Sequence, residues 1–305
     1  MKKSLIILGP TASGKTALAV KIANKYNGEI ISADSRQIYK GMDIGTGKDL
    51  QEYMIVDKAI PYHLIDILDP ITDYSVFDFK KDFYDCYNRI IKNNALPILC
   101  GGTALYIDSI LFDYNMPKSK PNKILRKKMG TMRLEGLKDK LISIKKDAYD
   151  KNYHISQRRI IRTIEILTQN QSNDIDMNKQ GKNKFKNSLV LGIKVERGIL
   201  LNRIKKRLEV RLNKGMIEEV QTLLNTGISP ERLHTLGLEY RYISAYLSKK
   251  IDYKTMQSKL NTAINQFSKR QMTFFRRMEK RGININWVPI ENSNKIYKIV
   301  DQYLI

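Results

Sequence analysis

The chain has 305 residues, 42% of them hydrophobic, which is enough for one large domain or a core carrying one insertion. Fifty-four Lys and Arg against 31 Asp and Glu leave a formal charge of +23. An excess of that size concentrates polyanions at the surface, so nucleic acid or an anionic membrane surface leads the partner classes. Two cysteines without a C-x-x-C pair, Cys86 and Cys100, and three scattered histidines exclude a disulfide scaffold and a structural zinc site.

Met1-Lys2-Lys3-Ser4 leads directly into a short apolar strand, without the longer apolar region and cleavage site of a signal peptide. No apolar run approaches the roughly 20 residues that span a bilayer. The expectation is a soluble, cytoplasmic protein with no membrane partner, and a monomer by default.

Leu5-Ile6-Ile7-Leu8, ending at Gly9, is a continuous apolar run of the kind buried on both faces of a parallel sheet. Ala17, Leu18, Val20, Ile22 and Ala23 then give a helical pattern. Glu29 to Ala33 and Leu96 to Cys100 predict further strands, with helical periodicity over 77–93 between them. Alternating strand and helix is the pattern of a doubly wound α/β fold.

After Phe112 the texture changes. Residues 116–187 carry little β signal and much Lys, Asn and Gln, with amphipathic stretches at 122–147 and 156–169, and 170–187 is polar enough for a mobile loop. Leu189 to Val195 predicts a return to the sheet, followed by helices over 199–225, 239–248 and 253–280 and an apolar segment at Ile285–Val288. The expected organisation is therefore a P-loop NTPase-like doubly wound parallel-sheet core, 1–112 and 188–305, interrupted by a mostly helical insertion, 113–187.

The sharpest local signal is Gly9-Pro10-Thr11-Ala12-Ser13-Gly14-Lys15-Thr16, a full G-x-x-x-x-G-K-T between a strand and a helix. Its backbone N–H groups and the helix N-terminus favour a phosphate, Lys15 adds a point charge, and the Thr16 hydroxyl can hold Mg²⁺. The loop predicts a diphosphate or triphosphate ligand without saying which. The strand that in an NTPase would end in a metal-binding Asp ends here in Leu99-Cys100-Gly101-Gly102-Thr103. That disfavours a nucleic-acid-binding NTPase or a P-loop small-molecule kinase, the main alternative, and leaves small-molecule group transfer.

Asp34, in Ser32-Ala33-Asp34-Ser35-Arg36-Gln37, lies just past the second strand, at the strand ends where open α/β sheets bind ligands. A carboxylate there can take a proton from an incoming nucleophile, or it can simply cap a turn. Spacing alone does not separate the two.

At this point the sequence resembles the bacterial tRNA dimethylallyltransferases. The loop Gly9–Thr16, the segment Ser32 to Lys48, His63 to Asp66, Tyr74-Ser75, Gly101 to Thr103 with Tyr106, Gln157 to Arg162, Arg203 to Val220 and Lys269 to Arg276 carry the resemblance. Gly237-Leu238-Glu239-Tyr240-Arg241 is two residues longer than the family's usual wording, and Tyr153 to Ser156 replaces its usual spelling ahead of Gln157.

The resemblance implies transfer of a dimethylallyl group from dimethylallyl diphosphate to the exocyclic amine of the adenosine immediately 3′ of a tRNA anticodon, with Mg²⁺ on the diphosphate. Asp34 would be the general base or hydrogen-bond acceptor for that amine, Thr11 would contact the reacting groups, and Lys15, Thr16 and Arg207 would stabilise the departing diphosphate. Asp34, Ser35, Arg36, Gln37, Thr103, Gln157, Arg158, Arg159, Ile160 and Ile161 would meet the anticodon stem-loop.

Three basic clusters fit a polyanionic partner. They are Lys118, Lys120, Lys123, Arg126, Lys127 and Lys128; Arg203, Lys205, Lys206, Arg207 and Arg211; and Lys269, Arg270, Arg276 and Arg277. Phe274, Phe275 and Trp287 are expected in the core rather than as base-stacking platforms.

Overall fold

A computed structural model describes residues 3–55, 58–114, 116, 121–150, 156–169, 185 and 187–305. In chain order the first half contains β1 (Leu5–Leu8), α1 (Lys15–Lys25), β2 (Gly28–Ala33), a hairpin of β3 (Met54–Ile55) and β4 (Lys58–Ala59), β5 (Tyr62–His63), α2 (Val76–Lys92), β6 (Leu96–Gly101) and α3 (Ala104–Leu111). Three helices follow, α4 (Lys123–Gly130), α5 (Leu134–Ile144) and α6 (Gln157–Gln169). Then come β7 (Leu189–Lys194), α7 (Arg197–Asn213), α8 (Met216–Asn225), α9 (Pro230–Leu236), α10 (Leu238–Leu247), α11 (Tyr253–Lys280), β8 (Ile285–Pro289) and α12 (Ser293–Leu304).

Two compact units divide the chain, Met1–Asp113 with Lys182–Ile305, and Tyr114–Gly181. The larger holds a six-stranded parallel sheet in the order β5-β2-β6-β1-β7-β8. Every residue of β1 is buried, as a strand covered on both faces by helices must be. One core layer packs Leu18, Ile22, Leu191, Ile193, Val288, Ile296 and Val300 around the sheet, and a second joins α7, α8, α9, α10 and α11 through Ile204, Leu208, Val220, Tyr240 and Leu260.

The sheet's order and register position the site. The chain moves outward from β1 to β2 and later crosses back past β1 to β7, so the order reverses beside β1, the place at which open α/β sheets bind ligands. Leu8 and Ala33 both pair with Gly101. The segments after β1, β2 and β6 therefore leave the sheet at one level, side by side.

Several expectations change. The helix expected over 199–225 is interrupted at Lys214–Gly215, and the stretch at 122–147 breaks at Thr131–Arg133 into α4 and α5. The closing apolar segment is the edge strand β8, held by parallel pairing to β7, and α12 packs beyond it. Phe185 lies within the expected polar loop, yet it is buried, with ring contacts to Phe83, Tyr84 and Tyr87. The remaining expectation of a mobile loop at 170–184 lies outside the described residues, as do Lys118, Lys120 and Tyr153 to Ile155. Phe275 is buried, as expected, while Phe274 is half-buried and Trp287 is half-buried with its indole N–H on Glu279, 2.8 Å away.

The smaller unit has its own core of Met129, Leu137, Leu141, Ile160, Ile161 and Ile164. Glu165, buried on α6, accepts two bonds from Arg126 at 2.9 and 2.8 Å, one from Arg162 at 2.6 Å and one from the Asn122 N–H at 2.5 Å. Burial alone would raise its carboxyl, but these four donors outweigh burial and hold it below the usual range.

Candidate active site

The loop from Gly9 to Gly14 joins β1 to α1. Ser13 N–H closes a turn on the Pro10 carbonyl at 3.3 Å, and Lys15 Nζ reaches the same oxygen at 3.3 Å. Ala12 and Gly14 take left-handed backbone angles, φ 61° and 85°. Gly14 meets that demand without a side chain, and a Cβ there would lie 2.5 Å from Ile290. Ala12 holds the same region against steric preference, which marks a loop shaped by its surroundings.

The cradle carries unspent polar capacity. Ser13 is fully buried, and its hydroxyl has no hydrogen-bond partner, an arrangement that a bound oxyanion would relieve. Burial lowers the Lys15 ammonium below its ordinary value, the charge of Asp34 opposes that shift, and Arg207 adds to it. Burial, reinforced by Arg211, likewise pushes the Arg207 guanidinium down to about 10. Two cations are thus crowded and desolvated around one loop, which a diphosphate would neutralise. Thr16 is half-buried in the first turn of α1.

Arg207, on α7, donates to the Thr11 hydroxyl. Its neighbour one turn on, Arg211, is buried; it pairs with Asp49 at 3.5 Å and packs against Gly47. The basic residues of α7 therefore divide: Lys205 and Lys206 are exposed, whereas Arg207 and Arg211 point inward.

Asp34 leaves the end of β2 beside this loop. One carboxylate oxygen accepts the Arg36 N–H at 2.9 Å, so the turn-capping role is realised. Its charge also acts on Lys15 and Cys100, so it lies near the cradle. The two readings of this residue are compatible. Thr103 fixes the backbone on both sides of Asp34: its N–H donates to the Ala33 carbonyl at 3.0 Å, and its hydroxyl accepts the Ser35 N–H at 3.0 Å.

Arg36 is half-buried. Gln37 is committed within the fold, accepting from Ser32 at 3.2 Å and donating to the Gly47 carbonyl at 2.9 Å. Burial pushes the neighbouring Cys100 thiol up to about 12, so it is an inert neutral group.

The segment after Gln37 is anchored by residues that the motif alone does not explain. Lys48, with its side chain fully buried, donates to the Tyr39 carbonyl at 2.8 Å, to Asp43 at 2.6 Å and to Asp66. Three N–H groups thus meet three acceptors. Glu219 accepts the backbone N–H groups of Asp43, Ile44 and Gly45 at 2.8, 2.7 and 3.0 Å and the Tyr240 hydroxyl at 2.8 Å. The lengthened 237–241 segment accordingly starts α10, with Tyr240 buried against Glu219 and Arg241 bonded to the His234 carbonyl at 3.2 Å.

In the smaller unit, α6 carries the other expected contacts. Gln157 donates to the Met132 carbonyl at 2.8 Å, Arg158 is exposed and Arg159 half-buried. Ile160 and Ile161 have both side chains buried in that unit's core, 0% and 8% exposed. Arg126, counted in a basic cluster, is paired with Glu165, while Lys123, Lys127 and Lys128 are exposed. Among the described residues no helix is long and apolar enough to cross a membrane.

Comparison with known proteins agrees with this geometry. The "IPP transferase" family matches residues 37–278, and the "Isopentenyl transferase" family matches 2–59. A tRNA dimethylallyltransferase 1 of Azobacteroides pseudotrichonymphae is 46% identical over 98% of this chain and 96% of its own length. One of Syntrophus aciditrophicus is 44% identical over 94% of each.

Among solved structures, a tRNA isopentenylpyrophosphate transferase from Bacillus halodurans matches all of this chain and 97% of its own, with a TM-score of 0.71 and 29% identity. A eukaryotic dimethylallyltransferase described as acting on tRNA shares the fold, with a TM-score of 0.75 and 22% identity over 96% of this chain and 75% of its own.

Proposed function

We infer the chemistry from one premise: this chain belongs to the IPP transferase family. It is a prenyltransferase that moves a dimethylallyl group onto tRNA. The donor is dimethylallyl diphosphate, and the acceptor is the exocyclic amine of the adenosine immediately 3′ of the anticodon. The allylic C–O bond breaks, a C–N bond forms at the same carbon, the amine gives one proton to Asp34, and diphosphate leaves.

One observation carries this reading. The phosphate loop and Asp34 leave one sheet at the same level, on either side of β6, and Thr103 at the end of β6 holds the residues that flank Asp34. The donor's leaving group and the acceptor's proton would thus each find a fixed partner across a short gap. An aromatic amine is a weak nucleophile, so alignment and charge stabilisation on the diphosphate must supply much of the acceleration. Lys15 and Arg207, both desolvated, provide that charge, and Thr11 is held by Arg207.

The residues also fit a divalent cation of the Mg²⁺ type. Among the described residues no cluster of His, Cys, Asp or Glu forms a dedicated cage, which suits an ion carried mainly by substrate phosphates. Thr16 would hold it, and the ion would add to the charge neutralisation on the diphosphate. The base must be splayed from a folded RNA loop to reach Asp34, with the exposed Arg158 and the loop Asp34 to Gln37 in contact with that RNA. The setting is the cytoplasm, where the buried thiols of Cys86 and Cys100 stay reduced, and the working unit is a monomer.

A small-molecule kinase would leave the +23 charge unused and would need an acid that this chain lacks after Leu99-Cys100. Pure protein incubated with labelled dimethylallyl diphosphate, Mg²⁺ and bulk tRNA, followed by digestion to nucleosides, tests the proposal. Label in a prenylated adenosine supports it, whereas unlabelled tRNA in the presence of bound donor removes it.

A further inference from the structure

Gln271, on the long helix α11, is 5% exposed and uses both ends of its amide. Its carbonyl accepts the Thr11 N–H at 2.9 Å, and its NH₂ donates to the Gly102 carbonyl at 2.8 Å. Thr11 belongs to the phosphate loop after β1, and Gly102 to the segment after β6 that grips Asp34. No strand-to-strand bond joins these two segments past the end of the sheet, so a side chain from outside it spans them.

The bonds on either side make this bridge part of a longer chain. Arg207 donates to Thr11, Thr11 to Gln271, and Gln271 to Gly102. The next residue, Thr103, holds Ala33 and Ser35, which flank Asp34. Contact at Gly102 is close enough that any side chain there would displace the Gln271 amide, since a Cβ would lie 2.4 Å from its nitrogen. An amide offers an acceptor and a donor at this separation whatever the pH, which a carboxyl does only when it is protonated.

We propose that Gln271 is a positioning residue that sets the distance between the diphosphate cradle and Asp34. The proposal rests on the reaction given above, in which those two sites must act on one carbon and one nitrogen. Its physical basis is that a shift of about 1 Å between reacting groups can cost on the order of 100-fold in rate. Packing alone would not require either amide atom.

Gln271→Glu separates positioning from packing. The substitution preserves shape and the acceptor toward Thr11, but an ionised carboxylate faces the Gly102 carbonyl with no proton to donate. A protonated carboxyl regains that donor. The turnover of Gln271→Glu at saturating donor and tRNA should therefore fall about 10- to 100-fold at pH 8, with inorganic pyrophosphate affinity within about 3-fold of wild type. The ratio of variant to wild-type turnover should recover as pH is lowered.

Gln271→Met should be slow at every pH. In Gln271→Glu combined with Thr103→Val, the two losses should be less than multiplicative, because both act through one chain. A pH-independent ratio with multiplicative losses would overturn the assignment, as would unchanged turnover. Absence of transfer by the wild type would instead remove the reaction itself, and pyrophosphate binding measured alongside keeps the two failures apart.

Discussion

The guanidinium of Arg207 on α7 donates to the hydroxyl of Thr11 in the phosphate loop, across 196 positions of sequence. This contact places a permanent cation over the cradle. Although burial pushes Arg207 down to about 10, it stays protonated at neutral pH. Arg207→Ala should lower turnover by about 100-fold or more, since charge developing on the leaving diphosphate loses a desolvated partner. Steady-state rates at saturating tRNA check this, and a loss confined to tRNA affinity would reassign the residue to RNA binding.

Lys15 gives a prediction in stability. Its folded pKa lies below its ordinary 10.5 because burial disfavours the ammonium. Between the lowered value and 10.5 the unfolded chain holds a proton that the folded chain has lost, so this contribution raises stability as pH climbs through that window. Below the window the buried charge is a constant burden. Lys15→Met should therefore melt higher than wild type at neutral pH, and the gap should narrow as pH rises toward about 10. Inorganic pyrophosphate should raise the melting temperature of the wild type much more than that of the variant. A gap that does not change with pH would show that Lys15 is well hydrated.

Lys48 is the anchor of the Tyr39–Lys48 segment, with its side chain fully buried and Asp43 and Asp66 respectively 59% and 35% exposed. Removing the cation leaves two carboxylates facing one another and a carbonyl without its donor. Lys48→Met should cost about 3 kcal/mol, tempered by water reaching the aspartates. Urea unfolding checks this, and a loss below about 1 kcal/mol would make the cage an ordinary surface pair.

In the smaller unit the basic residues divide by role. Replacing Lys123, Lys127 and Lys128 by Gln should leave that unit folded and reduce the salt dependence of tRNA binding, because all three are exposed. Arg126→Gln should act differently, by stripping a bidentate partner from the buried Glu165 and loosening α4 from α6. Binding measured across a salt series, with hydrogen exchange on the α6 amides, separates the two; an unchanged slope in the lysine variant would place the RNA elsewhere.

Much of the candidate site is legible in the sequence because it is local. The phosphate loop is contiguous, and Asp34 follows directly from a strand end. Local periodicity also marked β1, β2, β6, α10 and α11. What stayed hidden depends on pairing at a distance. β5 has two residues and forms only because His63 meets Glu29 and its backbone aligns with β2. Gln271 and Glu219 look like ordinary polar residues on amphipathic helices, yet each satisfies backbone groups more than 160 positions away. Ile160 and Ile161 show the converse, for a family motif that includes them gives no sign that the core claims their side chains.

Asp34 carries the account, and Asp34→Asn tests it most directly. The amide can still accept the Arg36 N–H, so the turn survives, but it cannot take a proton from an incoming amine. Single-turnover transfer from labelled dimethylallyl diphosphate to tRNA should slow by about 100-fold or more, while tRNA and pyrophosphate affinities stay within about 3-fold of wild type. Transfer at the wild-type rate would contradict the account and leave Asp34 as a turn cap alone.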